Sequence, residues 1–289
     1  MDIGRQRIAS GDAPRYQRWM LEWIGPTTEA DGVIERRFDV LREGARVPGV
    51  LWTPAAAIEA SPLVLLGHGG AGHKRDDSRL DYARGYVARG LAVAAIDGPF
   101  HGDRATAASS EADRAPEPQV FDEALVEAMV ADWRATLDAL VALDEVDGER
   151  VAYSGVSMGT MFGLPFVVAD GRVRAAVLGL CGLRAAAGVR DSGVDGGIDA
   201  SLFARLARDA PRLSCPTLFV MQWDDELFDR EGALALFDAL GPADKRLYAH
   251  PGGHAEVPPH VRASTSAFIA GQLADGADRS AGADAGSRG

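Results

Sequence analysis

The chain has 289 residues, of which 47% are hydrophobic, and its formal net charge is −12. This length is sufficient for one large core, and the negative charge disfavours nucleic acid and anionic membranes as partners. No segment reaches the roughly 18 apolar residues of a membrane span and the first residues contain no apolar signal core, so we expect a cytoplasmic protein without a membrane partner.

The predicted elements begin with an N-terminal extension. Aromatic residues recur at helical spacing in the stretch 15–25, so we predict a helical extension over residues 1–35 that packs on the domain. Residues 36–54 then alternate apolar and polar side chains on both sides of Glu43 and Gly44. This alternation predicts a hairpin of two strands.

Beyond the hairpin, short apolar strands alternate with helices. The pattern predicts strands at 61–67, 91–97, 150–155, 173–182, 215–223 and 245–250, and helices at 78–90, 121–143, 158–168, 231–240 and 259–273. Continuous apolar strands of this kind are typical of a parallel sheet that has helices on both faces. We therefore predict an α/β fold with a mostly parallel sheet of about eight strands.

The remaining segments are predicted from their composition. The main domain spans 36–273 and contains a surface loop at 104–120. Residues 182–212 allow a short cap insertion and no large lid, and the Gly, Ala, Asp and Ser of 274–289 predict a flexible tail. Cys181 and Cys215 lie in apolar runs and have no metal-ligand spacing, so we predict that both are buried and expect neither a metal nor a cofactor.

One serine lies in a glycine-rich turn between a predicted strand and a predicted helix. The sequence Gly155-Val156-Ser157-Met158-Gly159 fits the pattern G-x-S-x-G, which holds a nucleophilic serine on a strained turn. Glycine on either side leaves space for such a turn. The alternative is a glycine-rich turn with a capping serine, but the strand and helix around the motif favour a catalytic Ser157.

A serine nucleophile needs a base, an acid and donors for an oxyanion. The partners of such a serine follow it in the order acid, then histidine. His254, in a glycine loop after the last strand, is the predicted base, whereas His250 and His260 are interpreted as structural. The acid follows the strand at 215–223, and the candidates there are Asp224, Asp225 and Glu226.

The oxyanion donors are predicted to be two backbone N–H groups. One belongs to Met158, directly after the nucleophile, and the other to Gly70 in the glycine loop after the strand at 61–67, with Gly69 and Ala71 as alternatives. Active sites of such sheets lie at the carboxyl ends of the strands. The side chains that we place near this site as possible pocket residues are His68, His101, Arg104 and Trp223. For Arg104 an ordinary ion pair is the alternative.

The motifs His68-Gly69-Gly70, Gly155 to Gly159, Trp223 to Phe228 and Pro251 to His254 occur in an order that resembles the α/β-hydrolase superfamily. Within it, the chain is similar to the branch of serine esterases that are like dienelactone hydrolases and prolyl oligopeptidases. In this branch the acid lies in a pattern like H-G-x-x-D, which implies Asp225, although Met221 and Gln222 replace the usual His-Gly. Serine replaces the cysteine of true dienelactone hydrolases, so the resemblance does not imply their lactone activity.

The expected function is hydrolysis of a small or medium carboxylic ester by Ser157, His254 and Asp225. Two alternatives remain open: a serine peptidase or amidase with the same triad, and a non-catalytic module that binds a small molecule. Assays that compare amide with ester substrates test the peptidase or amidase alternative. Labelling of Ser157 tests the non-catalytic alternative. The sequence does not predict the oligomeric state.

Overall fold

The structure, a computed structural model, describes residues 7–9, 19–105, 122–186 and 200–284, without the side chains of Arg7 and of residues 275–284. In these ranges the strands are β1 Arg7–Ala9, β2 Trp19–Ala30, β3 Val33–Arg42, β4 Ala45–Pro54, β5 Ser61–Leu66, β6 Ala92–Ile96, β7 Val146–Ser154, β8 Val173–Gly179, β9 Thr217–Gln222 and β10 Lys245–His250. The helices are α1 Asp77–Val87, α2 Glu123–Leu140, α3 Met158–Asp170, α4 Ala200–Asp209, α5 Arg230–Ala239 and α6 Pro259–Asp284. None of these helices is long and apolar enough to cross a membrane.

The strands form one open sheet in the order β1-β2-β3-β4-β6-β5-β7-β8-β9-β10. The strands from β6 to β10 in this order pair in parallel, while β1 to β4 form antiparallel pairs and β4 joins β6 antiparallel. The predicted fold class, a mostly parallel sheet flanked by helices, is confirmed. The sheet has ten strands among the described residues instead of about eight, and β1 and β2 are the two that the sequence did not predict.

Each face of the sheet has its own hydrophobic core because side chains alternate along a strand. In β5, for example, Leu63 and Leu65 join the core that contains residues of α2, α3, α4 and α5. Val64 and Leu66 join the opposite core, which contains residues of α1 and α6. Burying one such side chain contributes about 1.5–3 kcal/mol. The apolar runs that predicted these strands are therefore runs that serve two cores.

The N-terminal prediction is wrong over residues 19–30, which form a strand and not a helix. Trp19 and Trp23 are four residues apart, and residues at this spacing share one side of a strand as well as one face of a helix. Pairing with β3 decides between the two, since Trp23 lies opposite Phe38 and its ring contacts Phe38 edge to face at 6.2 Å between centroids. Arg7–Ala9, also within the predicted extension, is a strand as well, and residues 1–6 and 10–18 of the extension lie outside the described residues.

Two other segments differ from their predictions. The backbone of α6 continues to Asp284, through most of the range predicted as a flexible tail. In the range 182–212 predicted as a cap, residues 187–199 lie outside the described part, and α4 buries Leu202 and Leu206 in the core beside α3. The surface loop predicted at 104–120 also falls almost entirely outside the described residues.

Both cysteines are free and buried, as predicted. Burial raises the pKa of the Cys181 thiol to about 12 and that of Cys215 to about 11, so both stay protonated at neutral pH.

Candidate active site

Ser157 lies on a sharp turn between β7 and α3. Its backbone has φ 58° and ψ −124°, a strained conformation for a residue with a side chain, with a cost of about 1–3 kcal/mol. The turn is held by its surroundings, because the Ser157 N–H donates to the carbonyl oxygen of Gly179 at 2.9 Å. The buried Thr160 hydroxyl accepts from the Gly179 N–H at 2.8 Å and lies 2.9 Å from the Gly155 carbonyl oxygen.

Both glycines of the motif are closely packed, and Gly155 leaves no space for a side chain. A Cβ at Gly155 would lie 2.7 Å from the Tyr153 hydroxyl and 2.9 Å from the Gly159 carbonyl oxygen. A Cβ at Gly159 would lie 3.3 Å from the backbone of Gly67, the residue before His68. Glycine therefore lets the nucleophile turn approach β5 and the loop that follows it.

The structure brings Ser157, His254 and Asp225 together. The Ser157 Oγ lies 2.9 Å from His254 Nε2, and His254 Nδ1 lies 2.8 Å from Asp225 Oδ2. A carboxylate only accepts hydrogen bonds, so Nδ1 carries the imidazole hydrogen and Nε2 is left to accept the serine hydroxyl proton. We call these three side chains the Ser–His–Asp relay.

The backbone after β9 fixes the acid of the relay. The other carboxylate oxygen of Asp225 accepts from the N–H groups of Leu227 at 2.8 Å and Phe228 at 3.0 Å, and only 4% of its side chain is exposed. Asp224 is 66% exposed and its carboxylate faces the Gly252 N–H at 3.3 Å, away from the imidazole. Of the three candidate acids, Asp225 is therefore the one whose carboxylate contacts the imidazole of His254.

The other candidates lie elsewhere or have other partners. Glu226 accepts from the backbone N–H of His254 at 2.8 Å and so positions the loop that carries the imidazole. The ring of His250 donates to the Pro251 carbonyl oxygen at 2.6 Å and lies 5.1 Å from the ring of His260. Neither ring belongs to the relay.

The two predicted oxyanion donors belong to the helix that begins after Ser157 and to the loop that follows β5. Met158 is the first residue of α3, where the backbone N–H groups have no acceptor within the helix. Gly69, Gly70 and Ala71 line the same cavity as Ser157 and His254, and its volume is about 500 Å³. This arrangement leaves the choice of Gly70 among the three loop residues as a prediction.

The His68 side chain contacts the loop of Gly69 and Gly70 and does not line the cavity. Its buried ring donates from Nδ1 to the Gly69 carbonyl oxygen at 2.8 Å and accepts the Gly98 N–H at Nε2, also at 2.8 Å. Burial lowers the pKa of His68 to about 4, so the ring is neutral at pH 7 and its one hydrogen is on Nδ1. The side chain therefore ties the loop of Gly69 and Gly70 to the loop after β6.

His101 makes a second tie between the same two loops. Its Nε2 lies 2.7 Å from the Gly70 carbonyl oxygen and its Nδ1 lies 2.7 Å from that of Pro99. A neutral ring donates to one of these oxygens, and an imidazolium donates to both. In either form the side chain contacts the loop of Gly70 and is not among the residues that line the cavity.

A buried ion pair that the sequence did not reveal makes the third tie. Lys74, in the loop after Gly70, donates to Asp97 at 2.5 Å and to Asp103 at 2.8 Å. Asp97 is fully buried and also accepts the backbone N–H groups of Lys74 and Asp103. A lone lysine and two aspartates in loops carry no local signal of this pairing.

Two of the possible pocket residues have other roles. The guanidinium of Arg104 pairs with the buried Asp132 at 2.7 Å, so the alternative of an ordinary ion pair is correct for it. Trp223 is 39% exposed and lies under the guanidinium of Arg230, 4.1 Å from the ring centroid. Neither side chain lines the cavity of Ser157. Within the described ranges, no cluster of three or more His, Cys, Asp or Glu could hold a metal ion.

Sequence comparisons gave no match to any protein-family model or to any curated protein. Among solved structures, the chain is similar to a cold-adapted esterase from an Arctic intertidal metagenomic library. The two chains are 35% identical, the alignment covers 87% of this chain and 99% of that one, and the TM-score is 0.69.

Two acetyl xylan esterases share the fold of this chain, and their similarity shows no more than the fold. The enzyme from Paenibacillus sp. R4 is 20% identical with a TM-score of 0.68, and that from Thermoanaerobacterium sp. JW/SL YS485 is 18% identical with a TM-score of 0.67. Both alignments cover 87% of each chain. The level of identity to the Arctic esterase confirms the resemblance seen in the motifs: the chain belongs to the α/β-hydrolase superfamily, in its branch of serine esterases.

Proposed function

We propose that the protein hydrolyses small or medium carboxylic esters through an acyl-enzyme on Ser157. The observation that carries this proposal is the continuous hydrogen-bonded line from the Ser157 hydroxyl through His254 to Asp225, with contacts of 2.9 and 2.8 Å. Ester hydrolysis is also the activity named for the 35% identical relative.

Acylation begins when the Ser157 oxygen attacks the ester carbonyl carbon. His254 Nε2 takes the hydroxyl proton, and the electron pair of the carbonyl bond moves to the oxygen, which becomes an oxyanion. The N–H groups of Met158 and Gly70 donate to this oxyanion, and one such donor is worth about 3–4 kcal/mol in the transition state. The oxyanion then collapses, the alkoxide leaves, and His254 gives it the proton.

Deacylation repeats these steps with water as the nucleophile. His254 takes a proton from water as the water oxygen attacks the acyl carbon, and then returns a proton to the Ser157 oxygen, which releases the acid. Asp225 keeps the hydrogen of the imidazole on Nδ1 and stabilises the imidazolium that forms in both steps.

The size of the substrate is proposed from the cavity. Its volume of about 500 Å³ lies within the range of sites for small organic molecules. The described parts of the predicted cap, residues 182–186 and 200–212, contribute no residue to its lining. Both features favour a compact ester over a long-chain lipid. The cytoplasmic location stays a prediction.

Labelling and turnover of one matched set of proteins test the proposal. A fluorophosphonate probe should label the wild-type protein and not Ser157→Ala, and the same substitution should lower kcat on 4-nitrophenyl acetate by about 10⁶-fold. Ser264→Ala is the control, because the Ser264 hydroxyl donates to the His260 carbonyl oxygen on α6, away from the relay. Wild-type protein that is never labelled, or Ser157→Ala protein that turns over at the wild-type rate, would refute the proposal. Faster turnover of matched anilides than of esters would favour the amidase.

A further inference from the structure

The cavity of Ser157 continues from the relay to an end that carries two arginines. Besides Ser157, Gly70 and His254, its lining includes Arg79 and Arg262. Arg79 is in the first turn of α1 and Arg262 is in the first turn of α6. Because the first turn of a helix carries a partial positive charge, both helix ends add to the positive potential of this end.

Arg79 is a buried cation whose hydrogen-bonding capacity is only partly used. Its side chain is 7% exposed, and it donates to the Gly67 carbonyl oxygen and to the Ser78 hydroxyl. Its Nε has no hydrogen-bond partner, and the nearest carboxylate oxygen, of Asp76, is 3.9 Å away. A buried donor without a partner costs about 1–3 kcal/mol, more when the group is charged. Because Nε is itself buried, a ligand in the cavity would meet the positive charge of this guanidinium and not its Nε.

Arg262 lies at the same end of the cavity. Its Nη1 donates to the Val257 carbonyl oxygen at 2.7 Å, and it forms no ion pair within the described part of the chain. The positive charges of Arg79 and Arg262 both act on the phenol of Tyr82, which also lines the cavity, although burial raises the pKa of this tyrosine overall. Two cations thus face one phenol that stays neutral at pH 7.

The negative charge at this end does not balance the two cations. Asp76 is the carboxylate among the lining residues, and its two oxygens already accept the backbone N–H groups of Arg79 at 2.8 Å and of His73 at 3.0 Å. Besides the neutral phenol of Tyr82, the imidazole of His254 also lines the cavity, and it is engaged in the relay. The end therefore carries one positive charge in excess, in a chain whose formal net charge is −12.

From this excess charge we infer that the arginine end of the cavity binds a carboxylate of the substrate. The substrate class is an ester that carries a second, ionised carboxyl group, with its ester carbonyl at Ser157 and its carboxylate at Arg79 and Arg262. Guanidinium groups bind carboxylates through charge-assisted hydrogen bonds, which are shorter and stronger than neutral ones. The inference rests on the proposed function for the chemistry at Ser157, and on the two arginines for the selectivity.

The carboxylate can belong to the acyl part or to the alcohol part of the ester, and two pairs of substrates distinguish these sources. The first pair is 4-nitrophenyl hydrogen glutarate and 4-nitrophenyl pentanoate, which differ by a carboxylate on the acyl chain. The second pair is 4-acetoxybenzoate and its methyl ester, which differ by a carboxylate on the alcohol side. For each pair the ratio of kcat/KM for the anionic ester to that for the neutral ester is measured.

Arg262 is the position to change, because Arg79 also holds the Gly67 carbonyl oxygen and its replacement disturbs the loop that leads to Gly70. Arg262→Gln should lower the anionic-to-neutral ratio of one pair about 10-fold to 100-fold, mainly through KM, as expected for a lost hydrogen bond to a charged group. Arg262→Lys keeps the positive charge, so its anionic-to-neutral ratio should lie between those of the wild type and Arg262→Gln. The control is Arg89→Gln, which removes the same charge from an exposed side chain that does not line the cavity.

A binding measurement separates this inference from the proposed function. Glutarate should bind the Ser157→Ala protein in a calorimetric titration, and more weakly after Arg262→Gln is added. Glutarate binding without hydrolysis of any of the four esters by the wild-type protein would support the carboxylate site and refute the proposed function. Hydrolysis of the neutral esters with ratios that Arg262→Gln leaves unchanged in both pairs, and no glutarate binding, would overturn the inference alone.

Discussion

Replacing Lys74 by methionine should destabilise the protein strongly, because it removes the cation that is paired with a fully buried carboxylate. Methionine keeps most of the length of the side chain, so the change acts mainly on charge. Asp97 would keep two backbone N–H donors, from residue 74 and from Asp103. It would lose the ammonium group that lies 2.5 Å from its Oδ2.

The magnitude follows from the burial of the pair. Lys74 is 7% exposed and Asp97 is fully buried, and breaking such a pair from one side costs about 3–5 kcal/mol. The entropy of unfolding of a chain of this length is about 0.6 kcal/mol/K. Lys74→Met should therefore lower Tm by about 5–8 °C.

The assay is thermal unfolding at pH 7, followed by circular dichroism, with a variant of the second partner as the control. Asp103 is 60% exposed, so Asp103→Asn should cost no more than an exposed ion pair, about 0.2–1 kcal/mol, and should shift Tm by less than about 2 °C. If Lys74→Met shifts Tm no more than Asp103→Asn does, the buried pair is not what holds the two loops together.

Three further predictions concern the relay and its supporting loops. Asp225→Asn should lower kcat about 10⁴-fold, because the amide no longer fixes the tautomer of the imidazole, whereas Asp224→Asn should change kcat less than about threefold. His101→Phe should lower kcat about 3-fold to 10-fold with little change in KM, since the Gly70 carbonyl loses a donor worth about 0.5–1.5 kcal/mol. The pKa of His68 is lowered from 6.5 to about 4, so the unfolded chain binds the proton first on acidification, and about 3 kcal/mol of stability that is present above pH 6.5 should be lost as the pH falls toward 4.

Each of these predictions has an opposite outcome that would count against it. Equal loss of kcat in Asp225→Asn and Asp224→Asn would show that Asp225 does not act as the acid of the relay. A change in KM alone for His101→Phe would indicate a contact with substrate instead of support of the loop. For the buried histidine, denaturant titrations between pH 4 and 6.5 should give a flatter pH dependence for His68→Gln than for the wild type. Parallel curves would show that another group accounts for the acid sensitivity.

The parallel half of the sheet and the nucleophile turn were predictable because their signals are local. A strand buried on both faces is a continuous apolar run, as in β5 and β6, and the spacing of Gly155 and Gly159 around Ser157 reflects close backbone packing. The two N-terminal strands were not predictable in the same way. The spacing of Trp19 and Trp23 fits a helix and a strand alike, and only the presence of β3 as a partner selects the strand.

Residues whose roles depend on distant partners were the ones missed. Arg79 and Arg262 are ordinary helix residues in the sequence, and 183 positions separate them, so nothing local indicates that both line one cavity. The choice between Asp224 and Asp225 stayed open in the sequence for the same reason. It depends on which carboxylate turns toward a loop that begins after another strand, and the bonds from Leu227 and Phe228 decide it.

The position of β10 as the last strand of the sheet has a consequence for heat inactivation. Among the strands of the described ranges, β10 pairs with β9 alone, and the loop after it carries His254, whereas Ser157 follows β7, which has a neighbour on each side. A terminal strand opens at a lower free-energy cost than a central one. Warming to below the unfolding midpoint should therefore separate the imidazole from the hydroxyl reversibly. Activity should then decrease at temperatures at which far-ultraviolet circular dichroism still shows an intact sheet.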